Sequence, residues 1–486
     1  MRRGTTPADT QPPPPISMAS SPSLPDRFAD EMKALVGSAW VRTDLASRTA
    51  YGVDALQRGH PADLVVVPGS TAEVAAVART CNRADVAMTP RGAGTGYSGG
   101  AVPTAGGVVV SLERLNRILD IDESNLLAVV EPNVVTATLQ QAVENVGLFY
   151  PPDPASLNES VIGGNVAECA GGPRAFKYGT TKRYVLGLEA VLPTGQIVRT
   201  GGKTVKNVVG YDITQLLVGS EGTLAIVTQI ILRLIPRPPA RTSLRAMFDT
   251  LDQAVQAVEA VIADGVVPAA LELIDADCLA AIARYRTSPP PSGGTGALLL
   301  IELDGMPEAV AAEAHRVDRV CSRLASLVSE AQTDDERNRL WQDRRDLSLA
   351  LRALAPRKIN HDVVVPKGRI PQLFDLIARL RDTHRLPMPS FGHVGDGNIH
   401  VNILVDPEDA SAMERAQHAE RELFEGVVGL EGSISGEHGI GFSKAPFLGL
   451  ELSQDTIELM RRVKHAFDPN GILNPGKIFP TNGDDA

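Results

Sequence analysis

The feature that most constrains this 486-residue chain is a glycine stretch, PRGAGTGYSGG at residues 90–100. It ends a strand–helix–strand pattern. Residues 64–67 read as a buried strand, STAE at 70–73 as a capping box opening a helix to about residue 84, and residues 86–89 as a second strand. Gly94, Gly96 and Gly99 match the spacing of a dinucleotide fingerprint by letter. That fingerprint requires its last glycine to open a helix whose N-terminus faces a pyrophosphate. Here residues 100–107 read GAVPTAGG, which cannot form that helix. A Rossmann reading is therefore excluded. The loop must bind an anion through its own backbone N–H groups, arranged as a nest that glycines permit. A second glycine-rich loop follows, IGGNVAECAGG at residues 162–172.

Strands are expected at residues 107–112 and 126–131, a helix at 136–146, and alternating strands and turns over 184–235. PRPP at 236–239 then breaks the pattern and marks a domain boundary. The second half predicts helices at 251–263, 306–331, 335–353 and 370–384. Its strands are expected at 297–303, 360–365 and 399–405, with a Pro/Gly-rich loop at 288–296. That pattern is α+β on one antiparallel sheet. Residues 1–25 are rich in Pro, Ser and Thr, without an apolar leader, and read as a disordered tail.

The net charge of −11 argues against a nucleic-acid partner. Cys81, Cys169, Cys278 and Cys321 form no CxxC pair, so the chain by itself holds no iron–sulfur cluster, and a reducing compartment is expected. No apolar run is long enough to span a membrane. These features predict a cytoplasmic protein, or one peripheral on the inner face of the membrane.

A second constellation lies in GHVGDGNIH at 392–400 and SGEHG at 435–439. His400 and Asn402 alternate onto one face of a strand. Glu437 and His438 are neighbours in a glycine-flanked loop, so one can bind a metal while the other faces a substrate. Two imidazoles and a carboxylate form a common open site for Zn²⁺, Mn²⁺ or Fe²⁺. Arg344 and Ser348 share a helix face.

Seven motifs occur in order: PRGAGTG (90–96), IGGN (162–165), NVVGYD (207–212), GSEGTL (219–224), GHVGDGNIH, SGEHG and NPG (474–476). With them the chain resembles the FAD-linked oxidases of the vanillyl-alcohol-oxidase fold. Within that fold it resembles the D-2-hydroxyacid dehydrogenases, the group of glycolate oxidase catalytic subunits and FAD-dependent D-lactate dehydrogenases. The resemblance covers about residues 50–480. It implies a PCMH-type FAD-binding domain of two α/β subdomains over 26–237 with its core at 57–237, an α+β cap domain over 238–430, and a segment over 431–480 that returns to the flavin.

For the cofactor, the resemblance places Pro90, Arg91, Gly92, Ala93, Gly94, Thr95 and Gly96 around the FAD pyrophosphate. Pro152, Ser156, Gly163, Gly164 and Asn165 would line the flavin side. Glu221, Gly222 and Ile226 would approach the adenosine, and Asn474 would close over the flavin. The first loop has no histidine, so non-covalent FAD is expected. For the chemistry, the resemblance assigns His393, His400 and Glu437 to a divalent metal and His438 to proton transfer. It assigns Arg344, with Ser348 and Asn402, to the substrate. Relatives that oxidise D-2-hydroxyglutarate carry a lysine where Asn360 stands, which argues against a dicarboxylate, although Lys358 is close. The expected reaction is oxidation of glycolate or D-lactate. The electrons would leave to a quinone, a cytochrome or an iron–sulfur subunit, in a complex with companion subunits. The rival readings are a D-2-hydroxyglutarate dehydrogenase, a non-redox flavoprotein such as an alkylglycerone-phosphate synthase, and a flavin-bearing assembly subunit inactive alone.

Overall fold

A computed structural model describes residues 24–286 and 296–480. The tail up to residue 23 and most of the expected Pro/Gly-rich loop lie outside the described residues. Three main sheets organise the described chain. The first has the order Val41–Arg42, Leu64–Val66, Val108–Ser111, Met88–Arg91, with parallel pairing among the last three. Helix Thr71–Ala84 covers it, burying Val74, Val77 and Ala78 against Leu64, Val66 and Val108. Ser70 Oγ accepts from Glu73 N as a capping box requires. Glu73 does not return the bond to Ser70. Its carboxylate accepts from Gly69 N at 2.7 Å and pairs with Arg114 at 3.2 Å. Residues 92–107 contain no helix, as the glycines and proline there require.

The second sheet is antiparallel, in the order Ile118–Asp122, Leu127–Val130, Ile226–Arg233, Val185–Val191, Ile197–Gly201. Helices Thr136–Glu144 and Ile162–Glu168 bury Leu139, Val143, Ile162 and Val166 against it. The second glycine stretch is therefore not the open loop expected. Its first half is a short helix ended by Cys169 at φ 56°. Gly163 is needed there for close approach: a Cβ on it would lie 2.5 Å from Pro132 Cβ.

The third sheet has seven antiparallel strands, ordered Leu327–Glu330, Ala240–Phe248, Ala297–Gly305, Ala270–Asp275, Ser390–His393, Asn398–Val405, Arg357–Val364. Alternate residues point to two different helical layers, as strand geometry dictates. Leu271, Leu273, Leu299, Ile301, Ile399 and Val401 pack toward helices Leu251–Ala263, Pro307–Cys321, Ile370–His384 and Ala410–Gly429. Ile274, Leu298, Leu300 and Phe391 pack toward helices Ala276–Arg286 and Asp334–Arg352. The helix expected over 306–331 ends at Cys321, and Leu327–Glu330 instead adds an edge strand beside Ala240–Phe248. A short apolar run cannot be assigned to helix or strand by periodicity alone, and here pairing with the sheet decides. The C-terminal segment returns to the first sheet, where Leu473 is fully buried beside Met88 and Asn474 N donates to Met88 O at 2.6 Å.

Candidate active site

Strand register assembles the site. Glu272 stands opposite His393, Phe391 opposite His400, and His400 opposite Asp362. Their alternation puts all of these side chains on the sheet face toward helix Asp334–Arg352, which supplies Arg344. The loop carrying Glu437 and His438 closes over that face because Asp362 holds its backbone. Asp362 Oδ2 accepts from Gly436 N, Glu437 N and His438 N at 2.9, 2.6 and 2.9 Å.

Glu437 Oε1 then lies 3.6 Å from both His393 Nε2 and His400 Nε2, and the ligand atoms of the three groups all fall within 4.8 Å of one another. His393 bonds through Nδ1 to buried Glu272, which leaves Nε2 turned to the cluster. Glu272 also accepts from Arg344 Nε at 2.6 Å. Burial opposes its charge, but His393 and Arg344 hold its pKa at about 2. Burial also opposes charge on His393, yet the Glu272 and Glu437 carboxylates push its pKa well above the usual imidazole value. His400 goes the other way, driven down by burial and then by the His393 and His438 charges.

His438 sits apart from the three. Its ring stacks on His400 with centroids 5.5 Å apart, its other neighbour is Tyr97 at 5.4 Å, and Nδ1 lies 3.3 Å from Asp362 Oδ1. Asp362 also binds Lys444 Nζ at 2.5 Å. Burial works against the Asp362 carboxylate, but His438, Lys444 and the backbone donors hold it far below the ordinary range. A buried anion beside Nδ1 orients the ring and favours a proton on that nitrogen.

The substrate residues expected from the sequence fare differently. Arg344 stacks 4.6 Å above the Phe391 ring. Ser348 Oγ accepts from Lys358 Nζ at 2.9 Å, and burial lowers that lysine to about 8. Asn402 is fully buried. Its Nδ2 donates to Pro389 O and His400 O, and its Oδ1 accepts from Asn360 Nδ2. Both its Nδ2 donors are used in holding the strands, so it has no N–H left for a ligand.

The glycine segments face each other in the first half. A Cβ on Gly92 would lie 2.7 Å from Val161 Cγ2 and 3.8 Å from Gly164 N. Arg91 turns back to donate to Val53 O at 2.8 Å, and Gly94 has φ 72°. Ala93 and Thr95 lie on the same irregular segment. Pro90 meets Gly222, where a Cβ would lie 3.2 Å from Pro90 Cγ. Ile226 is buried at the head of its strand. Pro152 O accepts from Gln140 Nε2, Ser156 O accepts from Glu159 N and Ser160 N, and Asn165 Nδ2 donates to Thr136 Oγ1.

Asn474 donates to Gly100 O and Glu221 O at 2.9 and 2.8 Å, and Glu221 accepts from Ile440 N and Gly441 N at 2.8 and 2.7 Å. These bonds tie the returning segment to both glycine regions. Ser98 Oγ, Glu168 Oε2 and Asn474 Oδ1 are buried without protein partners. A space where side chains are excluded and buried polar atoms lack partners fits a bound polar cofactor.

Residues 62–201 match the FAD binding domain, and residues 237–478 match the FAD linked oxidases, C-terminal domain. The chain belongs to the FAD-linked oxidases. It is 43% identical to the glycolate oxidase subunit GlcD of Bacillus subtilis, over 89% of this chain and 93% of that one. It is 36% identical to a D-lactate dehydrogenase of Anaerostipes hadrus, over 86% and 89%. Among solved structures, it aligns with p-cresol methylhydroxylase with substrate bound at a TM-score of 0.79 and 17% identity, covering 93% and 96%. That likeness speaks to the fold. This FAD-linked oxidase is therefore a flavin-dependent oxidoreductase with the PCMH-type architecture the motifs predict. None of its described helices is long and apolar enough to cross a membrane.

The sequence reading missed Glu272, Asp362, Tyr97, Glu168 and Lys444. Glu272 had a signal: an acid flanked by Leu271 and Leu273 inside a buried strand needs buried partners.

Proposed function

We propose that this FAD-linked oxidase oxidises a small D-2-hydroxy acid, glycolate or D-lactate, to the 2-oxo acid. The observation that carries the reading is that His393, His400 and Glu437 converge beside a fourth side chain, His438, which is oriented by buried Asp362. When bound, FAD supplies the hydride acceptor, and the glycine cradle holds it non-covalently. A divalent cation, Zn²⁺, Mn²⁺ or Fe²⁺, fits the donor set of His393, His400 and Glu437, and would lower the pKa of the substrate hydroxyl. Glu272 fixes the His393 ring for that task. Arg344 has its Nε on Glu272, so its remaining guanidinium nitrogens are the donors for the substrate carboxylate. His438 accepts the hydroxyl proton at Nε2 while Asp362 balances the charge that forms.

The names of the relatives support the substrate class and a place in a multi-subunit oxidase. The electron acceptor is then a quinone, a cytochrome or an iron–sulfur subunit. One observation favours D-2-hydroxyglutarate as a second reading: Lys358 Nζ reaches Ser348 beside Arg344, where it could meet a second carboxylate. An anaerobic flavin-reduction screen over glycolate, D-lactate, L-lactate and D-2-hydroxyglutarate decides. Bleaching by glycolate or D-lactate supports the reading. Bleaching by D-2-hydroxyglutarate alone moves it to the dicarboxylate, and no bleaching assigns the activity elsewhere.

A further inference from the structure

The cavity that reaches His438 and Tyr97 has a volume of 930 Å³, far more than a glycolate or lactate anion fills. Its wall includes Arg58, Arg352, Arg357, Lys358, Arg421 and Lys444, with Glu420 the one acidic residue. This is a cationic surface on a chain of net charge −11. Most of those cations have partners. Lys444 is held by Asp362, Arg421 by Glu425 at 2.9 Å, Lys358 by Ser348, and Arg352 by Tyr97 Oη at 3.1 Å.

Arg58 and Arg357 differ: among the described residues, neither guanidinium forms an ion pair or a hydrogen bond. Arg58 lies 5.6 Å from the Phe442 ring, in the segment that follows Gln57 at φ 59°, and Arg357 opens strand Arg357–Val364. The two are far apart in sequence and both line this cavity. Glu420, the one carboxyl on the wall, lies 3.5 Å from His361 Nε2 and pairs with neither guanidinium. Arg344, the guanidinium read above as the inner clamp, is not on this wall. Two guanidinium groups held together without a counter-anion repel each other, and a planar carboxylate relieves that repulsion.

We propose that Arg58 and Arg357 form an outer capture site for a carboxylate anion, which concentrates the substrate at the mouth of the cavity before it reaches Arg344. The identity of the anion rests on the hydroxy-acid reading. The site would act on encounter and on local concentration, with no part in the chemical step. Exposed charges act over a Debye length, about 10 Å at 0.1 M salt. The contribution therefore weakens as ionic strength rises.

The test is stopped-flow flavin reduction without oxygen, in the FAD-loaded full chain, at about 20 and about 200 mM salt. The comparison is wild type, Arg58→Gln/Arg357→Gln and Arg58→Lys/Arg357→Lys, each checked for bound flavin and melting temperature. The double Gln variant should lose about tenfold in the second-order constant at low salt and most of its salt dependence. Its limiting rate at saturating acid should be unchanged, and the Lys pair should retain most of the wild-type behaviour. A wild-type second-order constant and salt slope in the double Gln variant would overturn the capture site, as would a loss confined to the limiting rate. If no hydroxy acid reduces the wild-type flavin, the functional reading fails, and oxalate, an unreactive anion, reads the capture site separately. Its perturbation of the flavin spectrum should then need about tenfold more oxalate in the double Gln variant. Equal oxalate titrations, or none in either protein, would remove the site.

Discussion

The glycine cradle proposed for the cofactor and the histidine–glutamate cluster are built from opposite materials. The cradle is backbone: Gly92, Gly94 and Gly163 clear space, and Asn474 and Glu221 lock the chain segments together. The cluster is side chains: His393 and His438 sit against the buried carboxylates Glu272 and Asp362, and Glu437 lies between His393 and His400. A cradle of backbone groups tolerates loss of a single side chain but not addition of one. A side-chain cluster is the reverse, since removing one member leaves its buried partners unpaired.

The largest expected effect tests that independence directly. His393→Ala and His400→Ala should each abolish turnover while FAD stays bound, with metal content by elemental analysis falling in step. The mirror variant is Gly163→Val, whose side chain meets Pro132. It should empty the flavin and leave metal content near wild type. Loss of both ligands in either variant would show that the two regions are one cooperative unit, and the comparison would break. The cradle also predicts that acid precipitation releases the flavin into the supernatant, because no histidine stands in residues 90–100. Yellow precipitate would mean a covalent link.

A smaller effect separates ligand from base within the cluster. His438→Asn should keep metal and FAD and slow anaerobic flavin reduction by about 10²-fold or more, the usual scale for a positioned base. Glu437→Gln should lose metal and weaken substrate binding together. If metal stays in Glu437→Gln and leaves in His438→Asn, the two roles are exchanged.

The same contrast governs what the sequence could tell. Backbone conformation has a local signature, so the glycine run at 90–100 and the helix-breaking GAVPTAGG after it could be read without any relative. The helix Ile162–Glu168 was missed because Gly163 sits where glycine marks close packing against Pro132 rather than a turn. In the seven-stranded sheet, alternation correctly put His400 and Asn402 on one face. It did not show that Asn402 spends its amide on Pro389, His400 and Asn360, since those partners are set by pairing across the sheet. Glu272 and Asp362 are far from the histidines in sequence, by 121 residues for Glu272 and His393 and by 76 for Asp362 and His438. Strand order brings the first pair together, and the loop docking on Asp362 brings the second.

Glu272 gives the smallest effect, and the one that most sharpens the contrast. It touches no substrate, so its role runs through His393. Glu272→Gln keeps the shape and can still accept a hydrogen bond from Nδ1, but it removes the charge that holds the ring and that balances Arg344. Outer-shell carboxylates of this kind typically carry about 10- to 100-fold in metal affinity. The variant should therefore bind metal that much more weakly by titration into metal-free protein. Excess metal should restore most of the flavin-reduction rate, and FAD content should not change. A merely structural role would lower melting temperature and leave metal affinity alone. Melting with and without excess metal, beside the titration, separates the two. If affinity is unchanged, the buried pair with Arg344 holds the fold rather than tuning the site, and the cluster depends on fewer charges than its geometry implies.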